Sequence, residues 1–304
     1  MNPGIAYATL AFVMWGLFPL YFRQIAAVPP LEVVLHRSVW SLLFVIALLA
    51  LLRRFGWMRE LATQPRRLGQ FALSALLLSA NWLLYVHAIG SAQVVEASLG
   101  YFINPIVSVL LGVLVLHERL NKVQWASVAL AAAGVLWLTL LNGRLPWIAL
   151  ALAVSFAIYG LIRKTASLGA LEGLALETML LAPVALPALA WWSFSGRGAM
   201  AQGDWELDAW LVVGGPLTAL PLLLFAAGAR RLPLATVGLL QYLSPTIQLA
   251  LGVWVFHEPF DRVRLLGFGF IWAGLALYSV DGWWRSRRPP QPPPQVAAVG
   301  VRIR

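Results

Sequence analysis

Long apolar runs separated by short polar connections fill the chain from its start to about residue 281. An apolar run of about 18 or more residues is long enough to cross the hydrocarbon core of a bilayer as a helix. Backbone groups in lipid must form their hydrogen bonds within the protein, and the alternating ~10-residue strands of a membrane barrel are not seen, so the runs are predicted to be helices. We predict ten spans, numbered 1 to 10 in chain order: residues 5–22, 31–52, 69–89, 94–116, 123–141, 146–162, 171–194, 207–229, 233–256 and 263–281.

One stretch of the sequence occurs twice. Residues 97–138 align without a gap on residues 237–278 after a shift of 140 positions, and Pro105 falls on Pro245. Because each copy carries five spans, an odd number, the second copy must enter the membrane from the opposite side. Such inverted-topology repeats are typical of secondary transporters. The predicted units are a first repeat at residues 1–142, a second repeat at 143–284 and a tail at 285–304.

The composition agrees with a membrane protein. The chain is 61% hydrophobic and 11% charged, with a mean hydropathy of +0.79, whereas a soluble domain carries roughly 25% charged residues. The predicted fold class is therefore all-α: a polytopic membrane protein whose ten transmembrane helices form two inverted five-helix repeats. The absence of cysteine excludes disulfides, thiolate metal sites and cysteine nucleophiles.

The distribution of Lys and Arg indicates the orientation. If the N-terminus is cytoplasmic, 16 of the 22 basic residues fall on the cytoplasmic side, five on the outer side and one, Arg37, inside span 2. The positive-inside rule therefore predicts that both termini are cytoplasmic. The net charge of +10 does not predict nucleic-acid binding, because the basic residues lie between apolar runs. The proline-rich basic tail is predicted to be a disordered cytoplasmic extension.

Polar residues near prolines in two repeat-related spans indicate a binding site. Asn104 precedes Pro105 in span 4, and Gln241 lies four residues before Pro245 in span 9. Binding sites of secondary transporters lie near the bilayer midplane, where interrupted helices expose polar groups, and a proline removes one helical hydrogen bond. The alternative is that these amides only hold helices together. With the aromatic residues at similar depth, the candidate substrate-binding residues are Trp15, Asn81, Trp82, Tyr85, Glu96, Tyr101, Asn104, Tyr159, Gln241 and Tyr242.

Charged residues inside the spans need partners, because a charge at a helix centre costs about 2.5–3.5 kcal/mol on insertion scales. Arg37 of span 2 and Glu96 of span 4 lie at the same membrane level. We predict that they form an intramembrane charge pair, with Glu32 as the second-choice partner of Arg37. The pair either fixes helix packing or contacts a substrate charge. Glu96 and Glu177 are the candidate coupling carboxylates.

Motifs for catalysis and nucleotide binding are missing from the sequence. There is no G-x-x-x-x-G-K-[ST] loop, no G-x-S-x-G nucleophile elbow and no H-E-x-x-H zinc motif. The pairs His117-Glu118 and His257-Glu258 lack the second histidine, and the two glutamates are instead predicted to cap the turns into spans 5 and 10. We therefore predict no enzyme activity, no catalytic residues, no cofactor and no metal site.

Several of these stretches resemble a known family. They include EVVLHRSVWS at residues 32–41, NWLLYVHAI at 81–89, EASLGYFINP at 96–105 and QYLSPTIQL at 241–249. Over roughly residues 4–284 the chain resembles the drug/metabolite transporter superfamily, EamA type, and more closely its RarD branch. The resemblance implies ten helices with cytoplasmic termini, two inverted repeats around a central cavity, and a solute permease in the inner membrane of a bacterium. It does not fix the substrate, since relatives move amino acids, nucleobases, other metabolites and drugs.

The leading functional hypothesis is a secondary transporter or facilitator that moves a small organic solute by alternating access between the repeats. Its predicted partners are that solute and the lipid bilayer, without nucleic acid; proton or ion coupling, direction of transport and oligomeric state stay open. One alternative is a non-transporting receptor or assembly factor, which would be expected to carry a sizeable extramembrane domain. The other alternative, an intramembrane enzyme, is disfavoured by the missing motifs.

The charge distribution allows a direct test of the orientation. Alkaline phosphatase fused after Arg304 should be inactive in intact cells, because that enzyme matures only in the periplasm and the C-terminus is expected in the cytoplasm. The same enzyme fused after Gly203, between spans 7 and 8, should be active. High activity of the C-terminal fusion at equal expression would contradict the predicted orientation.

Overall fold

The computed structural model describes residues 2–58, 64–90, 94–141, 147–257 and 262–286. Within these ranges the regular structure is helical, without a strand, and nine of the described helical stretches are long and apolar enough to cross a membrane. The remaining span, span 4, contains the shorter apolar stretch Gly100–Leu114. The all-α membrane fold of ten helices in two inverted repeats is confirmed. The predicted tail beyond residue 286 lies outside the described residues.

The ten predicted spans are confirmed, and every observed end lies within five residues of the predicted one. Spans 1 and 9 each consist of two helices. The bounds are Pro3–Gly16 and Phe18–Gln24 for span 1, Pro30–Leu51 for span 2, Pro65–Gly90 for span 3, Val94–Leu114 for span 4, Lys122–Leu140 for span 5, Trp147–Thr165 for span 6, Ala170–Phe194 for span 7, Trp205–Ala229 for span 8, Leu234–Leu240 and Leu243–Trp254 for span 9, and Arg262–Ser286 for span 10.

Local sequence signals start several of these spans. The Asn2 side-chain oxygen accepts a hydrogen bond from the Gly4 N–H at 2.9 Å and so caps span 1. Span 5 begins with a capping box, in which the side chains of Asn121 and Gln124 each accept a hydrogen bond from the backbone N–H of the other. Asp204 caps span 8 with its carboxylate. These helix starts are therefore determined by neighbouring residues in the sequence.

The largest helix contacts join the two repeats. Span 5 packs against span 10, span 4 against spans 6 and 9, span 2 against spans 7 and 8, and span 1 against spans 8 and 9. Glycines bring spans 5 and 10 close together: a Cβ placed on Gly134 would lie 2.5 Å from the backbone oxygen of Gly267. Close packing of this kind drives helix association in lipid, where no hydrophobic effect acts between helices. The core consequently lies between the repeats rather than within either one.

The repeat-related prolines affect their spans differently. The helix of span 9 is interrupted at Gln241 and Tyr242, shortly before Pro245. Span 4 continues as one helix although Pro105 lies in its middle. The prolines at corresponding positions therefore break only one of the two spans.

A second break lies in span 1, where the hydrophobic pattern predicts a single helix. The first helix ends at Gly16 and the next begins at Phe18, directly before Pro19. Because proline has no N–H, Pro19 leaves the carbonyl of Trp15, four residues earlier, without its helical partner. The side-chain Nε2 of Gln248 in span 9 donates a hydrogen bond to that carbonyl at 3.1 Å. A side chain of one broken span thus satisfies the backbone of the other.

Replacing Gln248 with leucine should lower the stability of the folded protein by about 1 kcal/mol, because the part-buried Trp15 carbonyl then loses its side-chain donor. The measurement is thermal melting of the purified protein in detergent, followed by size-exclusion chromatography. In a Pro19→Ala background the loss should be smaller, since alanine supplies an N–H for the same carbonyl. Equal losses in both backgrounds would contradict the proposed hydrogen-bond pairing.

Candidate functional site

A cavity of about 170 Å³ lies between the repeats. Spans 1 to 4 of the first repeat and spans 6, 8 and 9 of the second contribute side chains to it. Most of the wall is apolar or aromatic. Apart from tyrosines and tryptophans, its polar side chains are Arg37, Asn81, Asn104, Thr218, Gln241, Ser244 and Gln248.

Most of the candidate binding residues line this one cavity. They come from four different spans, which the fold brings together across up to 226 sequence positions between Trp15 and Gln241. Their part in substrate binding remains a prediction, but their common location is a property of the fold. The candidates in the wall are Trp15, Asn81, Trp82, Tyr85, Tyr101, Asn104 and Gln241.

Two candidate tyrosines lie outside the cavity wall. Tyr159 is 1% exposed, stacks on Phe225 with ring centroids 6.1 Å apart, and donates a hydrogen bond to Glu177 at 3.4 Å. Tyr242 is fully buried in a separate apolar cluster with Val109. The break in span 9 turns Tyr242 away from Gln241, which precedes it and faces the cavity. Depth along a span therefore did not determine which side of the helix faces the cavity.

Arg37 is held in the cavity wall by one hydrogen bond and three aromatic rings. Its Nε donates to the Thr218 hydroxyl at 2.7 Å. The guanidinium carbon lies 5.4 Å from the ring centroids of Phe18 and Trp82, and 5.5 Å from that of Phe22. These distances are those of cation–π contacts, which stabilise a cation without neutralising it.

The ion pair predicted for Arg37 is not seen in the part of the chain that the structure describes. No carboxylate of the described residues lies within 4.0 Å of Arg37. Glu32, the second-choice partner, lies 3.6 Å from His36 Nε2 and accepts a hydrogen bond from the Ala199 N–H at 2.6 Å. The side chain of Glu96 falls outside the described residues, so the Arg37–Glu96 pair and the binding role of Glu96 remain predictions.

The amides of the cavity wall divide into two kinds. Asn81 Nδ2 donates to the Leu152 carbonyl and the Ser155 hydroxyl, both at 2.9 Å, and so joins span 3 to span 6. In contrast, the Gln241 Oε1 atom is buried without a hydrogen-bond partner among the described residues. A buried acceptor without a partner is costly. Asn81 therefore holds helices together, whereas a role of Gln241 in solute binding remains a prediction.

Glu177, a candidate coupling carboxylate, lies in a closed polar cluster outside the cavity. It is fully buried and accepts a hydrogen bond from the Ser74 hydroxyl at 2.5 Å. Arg163 Nη1 lies 3.5 Å from the same carboxylate, and Arg163 Nη2 donates to the Ala170 carbonyl at 2.9 Å. The cluster connects spans 3, 6 and 7 on the predicted cytoplasmic side.

The prediction that Glu118 caps the turn into span 5 is wrong. Its carboxylate accepts hydrogen bonds from the Leu234 N–H at 2.6 Å and the Ala235 N–H at 3.0 Å, which are the first backbone groups of span 9. Lys164 of span 6 lies 3.8 Å from the same carboxylate. Span 5 is already capped by Asn121. The first N–H groups of span 9 have no acceptor within their own helix, and Glu118 supplies one. Glu258 lies outside the described residues.

Three polar residues of the wall, Thr218, Ser244 and Gln248, are missing from the sequence-derived candidates. Thr218 stands alone in an apolar span, and nothing in its local pattern indicates a contact with Arg37. Gln248 could have been found: Gln241, Ser244, Pro245 and Gln248 follow the spacing i, i+3, i+4 and i+7, which puts them on one helix face, and all four line the cavity.

One family model and several known proteins are similar to this chain. The model of the EamA-like transporter family matches residues 2–140 and again residues 145–280. An uncharacterized transporter from Pseudomonas aeruginosa is 46% identical over 295 residues, or 96% of this chain and 98% of that protein. Protein RarD of Streptomyces exfoliatus is 46% identical over 285 residues, 94% of this chain and 90% of that protein. Protein RarD of Escherichia coli is 40% identical over 285 residues, which are 94% of this chain and 96% of that protein.

A solved crystal structure has a similar fold. It superposes with a TM-score of 0.70 and covers 94% of this chain and 99% of that chain, at 20% sequence identity. At this level of identity the similarity concerns the arrangement of helices alone.

Proposed function

The chain belongs to the EamA-like transporter family, and from that premise we propose that it is a secondary transporter that moves a small organic solute across the inner membrane of a bacterium. The observation that carries this proposal is the cavity between the repeats, which is lined by both of them. A site at the interface of inverted repeats is accessible to one side or the other as the repeats move relative to each other. Alternating access through this cavity is the proposed mechanism.

The position of the cavity along the spans supports an outward-facing state. Under the predicted orientation, span 2 runs from the outer to the cytoplasmic side, and Arg37 lies near its start. Span 3 runs the opposite way, and its cavity residues Asn81, Trp82 and Tyr85 lie near its end. The cavity is thus in the outer half of the membrane.

Tight packing on the cytoplasmic side supports the same state. Beneath the cavity a core cluster contains Leu49, Leu174, Phe225 and Val237, none more than 2% exposed. Closer to the cytoplasm, Glu118 joins the end of span 4 to the start of span 9. We infer that these contacts form a cytoplasmic gate that is closed here and must open for the solute to leave the cavity on that side.

The inverted repeat suggests a matching contact for the outer side. The 140-residue shift carries Glu118 to Glu258 and Leu234 to Val94. We propose that Glu258 stabilises closure of the outer side in the inward-facing state, as Glu118 does for the cytoplasmic side. The assignment rests on the sequence repeat alone.

The cavity favours a small organic solute. A wall that is mostly apolar with a few fixed polar groups is typical of sites for such ligands. Its volume of about 170 Å³ is close to the ~150 Å³ of a core cavity that accepts benzene. A solute with one ring, or an aliphatic chain of similar volume, is the size expected.

Transport is favoured over the two alternatives. The family is one of transporters, and the Pseudomonas aeruginosa relative described above is named a transporter. These similarities do not support a receptor or an assembly factor, and they do not support an intramembrane enzyme. Glu96 and Glu177 remain the candidate carboxylates if a proton is coupled to transport. We further propose that both termini are cytoplasmic.

Gln241→Leu and Asn104→Leu should each reduce transport about tenfold, the effect of losing ~1.4 kcal/mol of hydrogen bonding to the solute. The measurement is uptake of a panel of radiolabelled small organic solutes into proteoliposomes, compared with protein-free liposomes. Gln202→Leu makes the same chemical change in an outer loop and should leave uptake unchanged. Full activity in both cavity variants would show that these amides only support packing, and no uptake by the wild type would contradict the proposed function.

Glu118→Gln should open the cytoplasmic gate more often. The chain has no cysteine, so a single Val237→Cys substitution beneath the cavity reports access when inside-out vesicles are treated with a membrane-impermeant maleimide. Loss of ~1 kcal/mol, typical of a removed helix N-cap, should raise the labelling rate roughly fivefold. Glu258→Gln should lower the rate, since the repeat is inverted. Equal rates in the three proteins would contradict the gate.

A further inference from the structure

The cation in the cavity wall indicates the charge of the solute. Arg37 carries the only charge among the described residues that line the cavity. Nothing in the proposed transport of an organic solute requires a charge there, and a charged side chain within a membrane span is unfavourable unless it has a partner. The inference below concerns the substrate class of this cavity and rests on the proposed function.

Within the part of the chain that the structure describes, the contacts of Arg37 involve its Nε atom and the faces of its guanidinium group. The Nε atom is used by Thr218, and three aromatic rings surround the group. The two terminal nitrogens have no hydrogen-bond partner among the described residues. Arg163 differs in having a neighbouring carboxylate: its Nη1 lies 3.5 Å from Glu177 without a hydrogen bond among the described residues, and its Nη2 donates to the Ala170 carbonyl.

The two terminal nitrogens of Arg37 have the geometry to bind a carboxylate. The two terminal nitrogens of a guanidinium group form a planar fork that binds both oxygens of a carboxylate through parallel hydrogen bonds. Thr218 fixes the Nε atom, and the aromatic rings confine the plane of the guanidinium group. The two terminal nitrogens are therefore oriented before a ligand arrives, which lowers the entropic cost of binding. One positive charge neutralises a carboxylate, whereas a doubly charged phosphate would retain a net charge in an apolar cavity.

We propose that the cavity binds a small organic monocarboxylate whose carboxylate group is held by the two terminal nitrogens of Arg37. The apolar body of the solute occupies the aromatic part of the cavity, where Trp15 and Phe156 pack edge to face with centroids 5.7 Å apart. The cavity volume of about 170 Å³ limits that body to about one ring. Arg37 is the residue that selects the anion, and Thr218 is its positioning residue.

Pairs of acids and their neutral amides test the charge requirement. The full-length protein in nanodiscs is assayed for equilibrium binding of benzoate and phenylacetate, with benzamide and phenylacetamide as probes of the same shape without the charge. At least one of the two acids should bind, and at least tenfold more tightly than its amide. Failure of both acids to bind, or equal binding of acid and amide, would overturn the inference.

Substitutions at Arg37 test the assigned contact. Arg37→Gln should weaken binding of the acid about 10–100-fold, the range for a hydrogen bond to a charged group, and leave binding of the amide unchanged. Arg37→Lys should fall between, because lysine keeps the charge but not the fork. Arg23→Gln is the matched control: Arg23 stacks on Phe256 at the end of span 1 and does not line the cavity. Undiminished binding of the acid to Arg37→Gln would overturn the assignment.

Thermal melting without ligand distinguishes substrate recognition from a structural ion pair. If Arg37 awaits a ligand, Arg37→Gln should change the melting temperature only through the loss of its Thr218 hydrogen bond and its aromatic contacts, and adding Glu96→Gln should not reverse that change. A lower melting temperature that is restored by adding Glu96→Gln would identify Arg37 as the structural partner of Glu96 and overturn the inference. Uptake of amides but not of acids into proteoliposomes would likewise overturn it, while leaving the proposed transport function intact.

Discussion

The hydrogen bond from Gln248 to the Trp15 carbonyl joins the two interrupted spans at the cavity wall. A carbonyl released by a proline finds no water in the bilayer core, so a broken helix is stable there only where another group of the protein donates to it. Here the donor comes from the other broken span. Spans 1 and 9 belong to opposite repeats, and residues beside both breaks, Trp15 and Gln241 among them, line the cavity. The cavity is therefore located where two interrupted helices meet.

The inverted repeat places residues of opposite charge at corresponding positions. One lies in a buried polar cluster and the other among aromatic rings in the cavity wall. Arg37 and Glu177 are related by the 140-residue shift. Glu177 is enclosed by Ser74, Tyr159 and Arg163, whereas Arg37 has an aromatic surround and faces the cavity. The two halves share a fold but differ in what their charges contact.

Family membership and cavity chemistry answer different questions. Membership in the EamA-like family accounts for the ten helices, the repeats and the class of activity. It leaves the solute undetermined, because one helical scaffold can serve many solutes by changes in a few wall residues. The charge of Arg37, held by Thr218 in the cavity wall, is the feature from which we infer a preference among solutes.

The sequence by itself determined the ten spans, the repeat and much of the cavity wall. Hydrophobic runs are set by the thickness of the bilayer, and the proline, amide and aromatic residues at matching depth are visible in the chain. Only the tertiary structure decided which way each side chain points: it placed Tyr159 with Glu177, turned Tyr242 into a separate cluster and gave the Glu118 carboxylate to span 9. These outcomes depend on helix rotation and on partners in other helices, some of them more than a hundred positions away, as Thr218 is from Arg37. A local pattern gives the depth of a residue, whereas packing between the repeats gives its direction.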